Sequence, residues 1–363
     1  MSSIDRGAVE SAIRNAYQDP YLNKDLMALD AIRNLEIEGG KVSFEICLGY
    51  AWQGIAGAAR SILSHAIEDI EGVEDVSITT TQNIHAHKTQ GELHPMGGVS
   101  NIIAVASGKG GVGKSTTAVN LALALAGEGA RVGILDADIY GPNVGLMLGI
   151  AEGTRPETKE EKYFVPLRAH GIQAMSMAFM ITDKTPMVWR GPMVSGAVQQ
   201  LLTQSLWDDL DYLIVDMPPG TGDIQLTLAQ KVPVTGAVVV TTPQDIALMD
   251  GQKGIEMFGK VDIPVLGVVE NMSTHICSNC GHHEPLFGSG GGEKLSQDYN
   301  VQLLGQMPLH QTIREQTDSG SPSVVAEPDS EVARLYADMA RRLGAILSQR
   351  ERDTSASIGA IKT

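Results

Sequence analysis

The sequence predicts an α/β protein whose larger part is a mostly parallel, doubly wound sheet, preceded by a small α+β unit. Three observations predict it. Apolar runs without alternation recur at residues 101–106, 131–135, 212–215, 236–240 and 265–269, as expected of strands buried on both faces. Helical stretches separate them, the order that lays strands parallel. A glycine-rich turn joins the first apolar run to the first of those helical stretches.

The texture changes at Val99, which sets the start of the larger unit. Residues 101–106 (NIIAVA) read as its first strand, and residues 116–126 (TTAVNLALALA) as a helix closing at Gly127 and Gly129. The runs RVGIL, YLIV, GAVVV and VLGVV supply further strands. In the smaller unit, residues 9–17 read as a helix with Ala12, Ile13 and Ala16 on one face. Residues 41–48 (KVSFEICL) and 75–80 (DVSITT) alternate as strands do, and residues 55–70 form a second amphipathic helix. The expected organisation is a small domain over 1–82, a polar linker over 83–98, a nucleotide-binding domain over 99–348 and a loose polar tail over 349–363.

Composition narrows the function. Hydrophobic residues make up 43% and aromatics only 4%, so the core must be aliphatic and methionine-filled. Against 43 acidic residues stand 27 basic ones, a net charge of −16. Such a surface repels phosphate backbones and anionic bilayers, so neither nucleic acid nor membrane is an expected partner. Three cysteines, Cys47, Cys277 and Cys280, are too few for a disulfide framework. The N-terminus has no apolar signal region, and no run of about 18 apolar residues exists. A soluble cytoplasmic protein with reduced thiols is expected.

Gly108, Lys109, Gly110, Gly111, Val112, Gly113, Lys114 and Ser115 fit G-x-x-x-x-G-K-[ST], between a strand and a helix as that motif requires. Glycines let the backbone wrap a phosphate, and the following helix presents its positive end. Lys114 is expected on the β- and γ-phosphates of ATP, and the Ser115 hydroxyl on Mg²⁺. Thr116 completes the expected nucleotide-contacting set. A P-loop NTPase fold follows. Lys109 is a second cation that a generic loop does not need; unpaired, it would be costly there, unless it is simply a solvated loop charge. Asp136 and Asp138 end the second strand, and Asp216 ends the YLIV strand, where ligands bind in doubly wound sheets. One acid of the first pair can hold Mg²⁺ through water and the other can orient the attacking water. Gly220 and Gly222 suit a loop that senses the γ-phosphate.

Cys277 and Cys280 form a C-x-x-C followed by His282 and His283. Three readings compete: a zinc knuckle with one histidine, a redox dithiol, or half of an iron–sulfur site completed by a second chain. Residue types alone rank zinc first. Cys47 lies in an apparently buried strand and reads as a small hydrophobe.

Together, SGKGGVGKST, LDADIYGP, MVWRGPM, DMPPGTGD, VENMS and HICSNCGHHEP resemble the Mrp/ApbC family of iron–sulfur cluster carrier ATPases over residues 99–345. These belong to the deviant Walker A ATPases, with MinD-like, ParA-like and nitrogenase-reductase-like proteins. The resemblance implies that Lys109 reaches the nucleotide of a partner in a homodimer. It implies that Lys114 and Ser115 bind phosphate and magnesium, and that Asp138 and Asp216 are the first switch acid and the second acidic motif. Asn271 falls where the group has an adenine-contacting asparagine. Cys277 and Cys280 match the cluster-bridging pair, which reverses the preference for zinc: two subunits would share one cluster, of the [4Fe–4S] type, receive it from a scaffold and pass it to apoproteins. The first 82 residues resemble a small iron–sulfur assembly domain, but Gly49, Tyr50, Ala51 and Trp52 stand where that domain often has Cys-Pro. A MinD- or ParA-like positioning ATPase is the alternative, opposed by the acidic charge and by a tail without an apolar face. Residues 189–192 (WRGP) read as a loop near the nucleotide or the dimer contact.

Overall fold

Strand positions follow from which faces the apolar runs must bury. The computed structural model describes residues 4–91, 93–180 and 191–354. In the N-terminal unit, α1 (Arg6–Ala16) precedes β1 (Ile32–Glu38), β2 (Lys41–Leu48), α2 (Gln53–Glu68) and β3 (Asp75–Gln82). The three strands pair in the order β1-β2-β3, antiparallel and then parallel. On β2, Val42, Phe44, Ile46 and Leu48 alternate inward onto Val9 and Ile13 of α1 and Leu63 and Ile67 of α2. The helix expected from residue 9 begins at Arg6, because the Asp5 carboxylate accepts a hydrogen bond from the Gly7 amide and caps it three residues before the first buried side chain. Cys47 is corrected too. It falls on the opposite parity from the core set of β2 and is only partly buried, so it is not the buried hydrophobe its strand suggested. The polar strand β1 was not expected; its pairing shifts register beside Asn34, which adopts a left-handed backbone.

The larger unit runs β4 (Val99–Ala106), α3 (Lys114–Gly127), β5 (Val132–Asp136), α4 (Val144–Met147), β6 (Leu167–Ala169), β7 (Ile172–Ser176), α5 (Gly191–Gln204), β8 (Leu210–Asp216), α6 (Asp223–Lys231), β9 (Gly236–Thr241), α7 (Asp245–Gly259), β10 (Val265–Glu270), α8 (Gly291–Tyr299), β11 (Leu303–Gln306), α9 (Gln311–Asp318), α10 (Ser323–Ala326) and α11 (Glu331–Ser348). The eight strands order as β6-β7-β5-β8-β4-β9-β10-β11, all parallel except the β6–β7 pair. One face carries α3 and α11, where Leu121, Leu125, Met339 and Leu343 cover Ile103, Ile134 and Ile214. The other carries α5, α6 and α7, where Val198, Leu228 and Phe258 cover Ala104, Leu213 and Val215. The chain leaves β4 for β5 on one side and returns past it to β9 on the other. The carboxyl end of β4 is therefore the switch point at which this architecture opens a ligand crevice.

The two units are joined by a buried polar contact. Arg341 of α11 donates to Glu128 at 2.7 Å, and the other Glu128 oxygen accepts the Gly54 amide of α2 at 2.8 Å. Arg341 also donates to the Tyr21 hydroxyl, which donates to Asp338. The connecting segment is not a free spacer. His87 is buried against Asn101 of β4, and the Gln90 amide donates to the carbonyls of Ala229 and Val232. The tail is anchored at its start: the Lys88 amide donates to Glu351, and the Asp353 amide to Ala86. Expected tail residues from 355 onward, and residues 189–190 of the WRGP loop, lie outside the described residues. Among the described residues no helix is long and apolar enough to cross a membrane.

Candidate functional site: a phosphate loop and a cysteine hairpin

The loop between β4 and α3 is held by two close approaches. Gly113 caps α3 in a left-handed conformation (φ 82°), and a Cβ there would lie 2.1 Å from Asn271 Nδ2. A Cβ on Gly108 would lie 2.1 Å from the Asp250 carbonyl oxygen. Packing fixes both as glycine, and at Gly113 the left-handed backbone does so as well. Gly110 and Gly111, between them, are exposed at the switch point.

Lys114, the first residue of α3, is almost fully buried. Its ammonium lies 2.5 Å from Asp216 Oδ1 and 3.2 Å from Ser115 Oγ. Asp216 sits at the end of β8, in register with Asp136 at the end of β5. Burial pushes the Asp216 carboxyl upward, the Lys114 ion pair pulls it back, and the charge of Asp138 pushes it up again. Asp136 is also raised, first by burial and then by Asp216.

Asp136 and Asp138 are distinguished by their partners. Asp136 accepts from the amides of Asp138 and Val144 and from the Ser176 hydroxyl. Its oxygens are spent on shaping the turn into α4. Asp138 is only partly buried, yet its Oδ1 is inaccessible and without a hydrogen-bond partner. The unmet acceptor lies close enough to Asp216 for its charge to raise that carboxyl. Gly220, in the loop after β8, donates its amide to Ser107 beside the phosphate loop. Lys109 is partly exposed and forms no ion pair among the described residues.

The cysteines lie on a hairpin made of two-residue strands, His275–Ile276 and His283–Glu284. The Cys277 amide donates to the His282 carbonyl at 3.0 Å, and the Gly281 amide returns to the Cys277 carbonyl at 2.8 Å. Cys277 is partly buried and Cys280 exposed. Amides of Asn279 and Cys280 point at the Cys277 sulfur and lower its pKa, with a further contribution from the Cys280 side chain. Among the described residues, no group of three His, Cys, Asp or Glu side chains is placed to hold a metal ion. The loop after the hairpin packs Gly288 and Gly291 against Pro243 and Leu248. Leu286 and Phe287 of that loop, and Ile246 and Met249 of the adjoining α7, expose apolar side chains.

Residues 98–344 match the family described as NUBPL iron-transfer P-loop NTPase. The chain belongs to that family. Within this NUBPL-type NTPase, residues 6–80 match a second family, described as iron–sulfur cluster assembly protein. A Pseudomonas fragi protein named iron–sulfur cluster carrier protein is 64% identical over 279 residues, 77% of this chain and 97% of its own length. An Escherichia coli K12 protein of the same name is 52% identical over 342 residues, covering 94% and 92% of the two chains. Among solved structures, an Archaeoglobus fulgidus nucleotide-binding protein in complex with ADP aligns with a TM-score of 0.57 and 35% identity, covering 64% of this chain and 90% of that one. The Pyrococcus furiosus cell-division ATPase MinD aligns at 0.51 and 24% identity, covering 67% and 98%, a likeness of fold.

In this NUBPL-type NTPase the fold brings Gly108, Gly113, Lys114, Ser115, Asp138, Asp216 and Asn271 to one crevice. Cys277 and Cys280 stand on a separate hairpin. Asn271 uses its side-chain N–H on the phosphate loop itself, donating to the Val112 carbonyl at 2.8 Å. Sequence reading missed that contact, and it missed Glu270, which accepts from the Gly292 amide at 2.5 Å and from Gln306 at 2.9 Å. A charged residue ending an apolar strand was the available signal for Glu270.

Proposed function

We propose that the chain is an ATP-hydrolysing carrier that holds an iron–sulfur cluster between two copies of itself and delivers it to recipient apoproteins. The observation that carries this reading is the pairing of a pre-shaped phosphate loop with a two-thiol hairpin beside which, among the described residues, no third metal-ligating side chain is placed. Two thiolates are half of a four-thiolate set, which a second copy would finish. The exposed apolar side chains beside the hairpin suit a protein surface against it. A structural zinc site within one chain would need a third and fourth ligand there.

The residues divide the work as follows. The exposed loop amides and the positive end of α3 receive the phosphates. Lys114, now neutralised by Asp216, exchanges part of that pairing for the β- and γ-phosphates. Ser115 holds Mg²⁺, and Asp216 supports it through water. Asp138, only partly buried, orients the water that attacks the γ-phosphorus as the bond to the bridging oxygen breaks. Lys109 is the cation available to a second copy, and the cluster is [4Fe–4S]. The acidic chain suits proteins as partners in place of nucleic acid or membrane, and the cytoplasm as its location.

Anaerobic purification followed by metal, sulfide and phosphate-release assays tests this. The expected result is iron and acid-labile sulfide in equal amounts, at about four of each per two chains, with Mg²⁺-dependent ATP hydrolysis. Stoichiometric zinc with no sulfide would overturn the reading.

A further inference from the structure

The phosphate loop and the cysteine hairpin are joined by one short, continuously hydrogen-bonded segment. Asn271 donates its side-chain N–H to Val112 in the phosphate loop, and its backbone amide to Thr241 at the end of β9. Met272 follows in a left-handed conformation (φ 57°), a turn that a non-glycine residue adopts at a cost, and its terminal methyl packs toward Gly113. From there the chain is zipped to the segment after β11. Ser273 donates to Met307, Leu309 to Thr274, and Ile276 to Leu309. Cys277 comes next. The hairpin's exit is tied to the same strand end, because Glu270, wholly buried, accepts the Gly292 amide at the start of α8. Both ends of the cysteine-bearing excursion are thus fixed at Glu270 and Asn271, and Asn271 is fixed to the phosphate loop.

The geometry points to Asn271 as the positioning residue that couples nucleotide occupancy of the phosphate loop to the exposure of Cys277 and Cys280. The inference rests on the carrier reading above. A phosphate entering the loop reorganises the peptide planes around Val112 and Gly113, and the Val112 carbonyl is the acceptor that Asn271 grips. Movement there is passed through a hydrogen-bonded lever of six residues, from Asn271 to Ile276, to the hairpin; a flexible linker would dissipate it. Met272 sets the direction of the lever, since its left-handed turn reverses the chain between the loop contact and the zipped segment.

The experiment uses cluster-free full-length protein carrying Cys47→Ser, so that only Cys277 and Cys280 report. Their alkylation by iodoacetamide is followed by mass spectrometry under anaerobic conditions, without nucleotide and with saturating Mg²⁺ and either ADP or adenylyl imidodiphosphate. Bound nucleotide is counted in parallel. The expected result is that the alkylation rate differs about fivefold between nucleotide-free and nucleotide-bound parent protein. With Asn271→Ala, or with Asn271→Asp, which keeps the shape but cannot donate to Val112, the nucleotide dependence disappears at equal occupancy. Met272→Gly, which leaves the Asn271 grip intact and relaxes the turn, keeps nucleotide occupancy and reduces the dependence. The inference is overturned if parent thiols ignore nucleotide, or if Asn271→Asp retains the full dependence. Because no cluster is present, these outcomes are separate from failure of the iron and sulfide assay.

Discussion

Lys114 and Asp216 meet at 2.5 Å and are 6% and 1% exposed, whereas Cys280 stands exposed on a hairpin of two-residue strands. The phosphate loop is built onto the hydrophobic sheet, with Gly108 and Gly113 wedged against Asp250 and Asn271. The cysteine hairpin is held by a few backbone hydrogen bonds and has little core beneath it. The difference teaches that stability and function are coupled at the first site and separable at the second. A buried charge needs a partner in every state of the protein, while a thiol pair at the surface can wait for ligands from elsewhere.

The sharpest way to break this comparison is Lys114→Ala. It strands the buried Asp216 carboxylate, and a loss of about 4 kcal/mol in unfolding free energy is expected along with loss of ATP binding. Chemical denaturation of the variant measures it. An unchanged midpoint would mean that the site is less closed than the geometry indicates. Arg341→Ala asks whether the seam between the two units obeys the same rule. It leaves Glu128, 5% exposed, without its cation. A loss of about 2 kcal/mol is expected, with ATPase activity retained, since the pair lies far from the loop in the fold.

A pH series refines the comparison further. Burial and Asp216 push the Asp136 carboxyl up to about 7, above its value in the unfolded chain. The native state therefore holds a proton there that the unfolded chain releases, and this group's contribution to stability rises as pH falls from about 7 toward about 4. The parent should gain stability relative to Asp136→Asn over that window, as read from melting temperatures. A gap independent of pH would contradict the assignment. The smallest stability effect belongs to the hairpin. Cys277→Ser should change unfolding free energy by less than about 0.5 kcal/mol, while iron content after anaerobic reconstitution falls to background.

Much of this was legible in the sequence because the signals were local. The doubly wound sheet was visible in uninterrupted apolar runs, and the phosphate loop in glycine and lysine spacing. Strand β1 was hidden, since its seven residues include three charges and no clean alternation. The Cys47 environment was misjudged although the signal was present, since the alternation of KVSFEICL sets Cys47 on the face of Lys41, Ser43 and Glu45. The division of labour between Asp136 and Asp138 could not be read from two acids separated only by Ala137. It depends on donors from Val144 and Ser176, which the fold brings in from other elements. Asn271's grip on Val112 crosses 159 positions of chain, and no local pattern encodes a contact of that separation.

The claim on which the comparison rests is that the nucleotide site is shaped within one chain and the cysteine site is half of a shared one. Native mass spectrometry of anaerobically reconstituted protein tests it most directly. The account predicts a two-chain species carrying a single cluster, which Cys280→Ser abolishes without altering the fold. A single chain carrying a whole cluster, or a Cys280→Ser protein that keeps one, would contradict it.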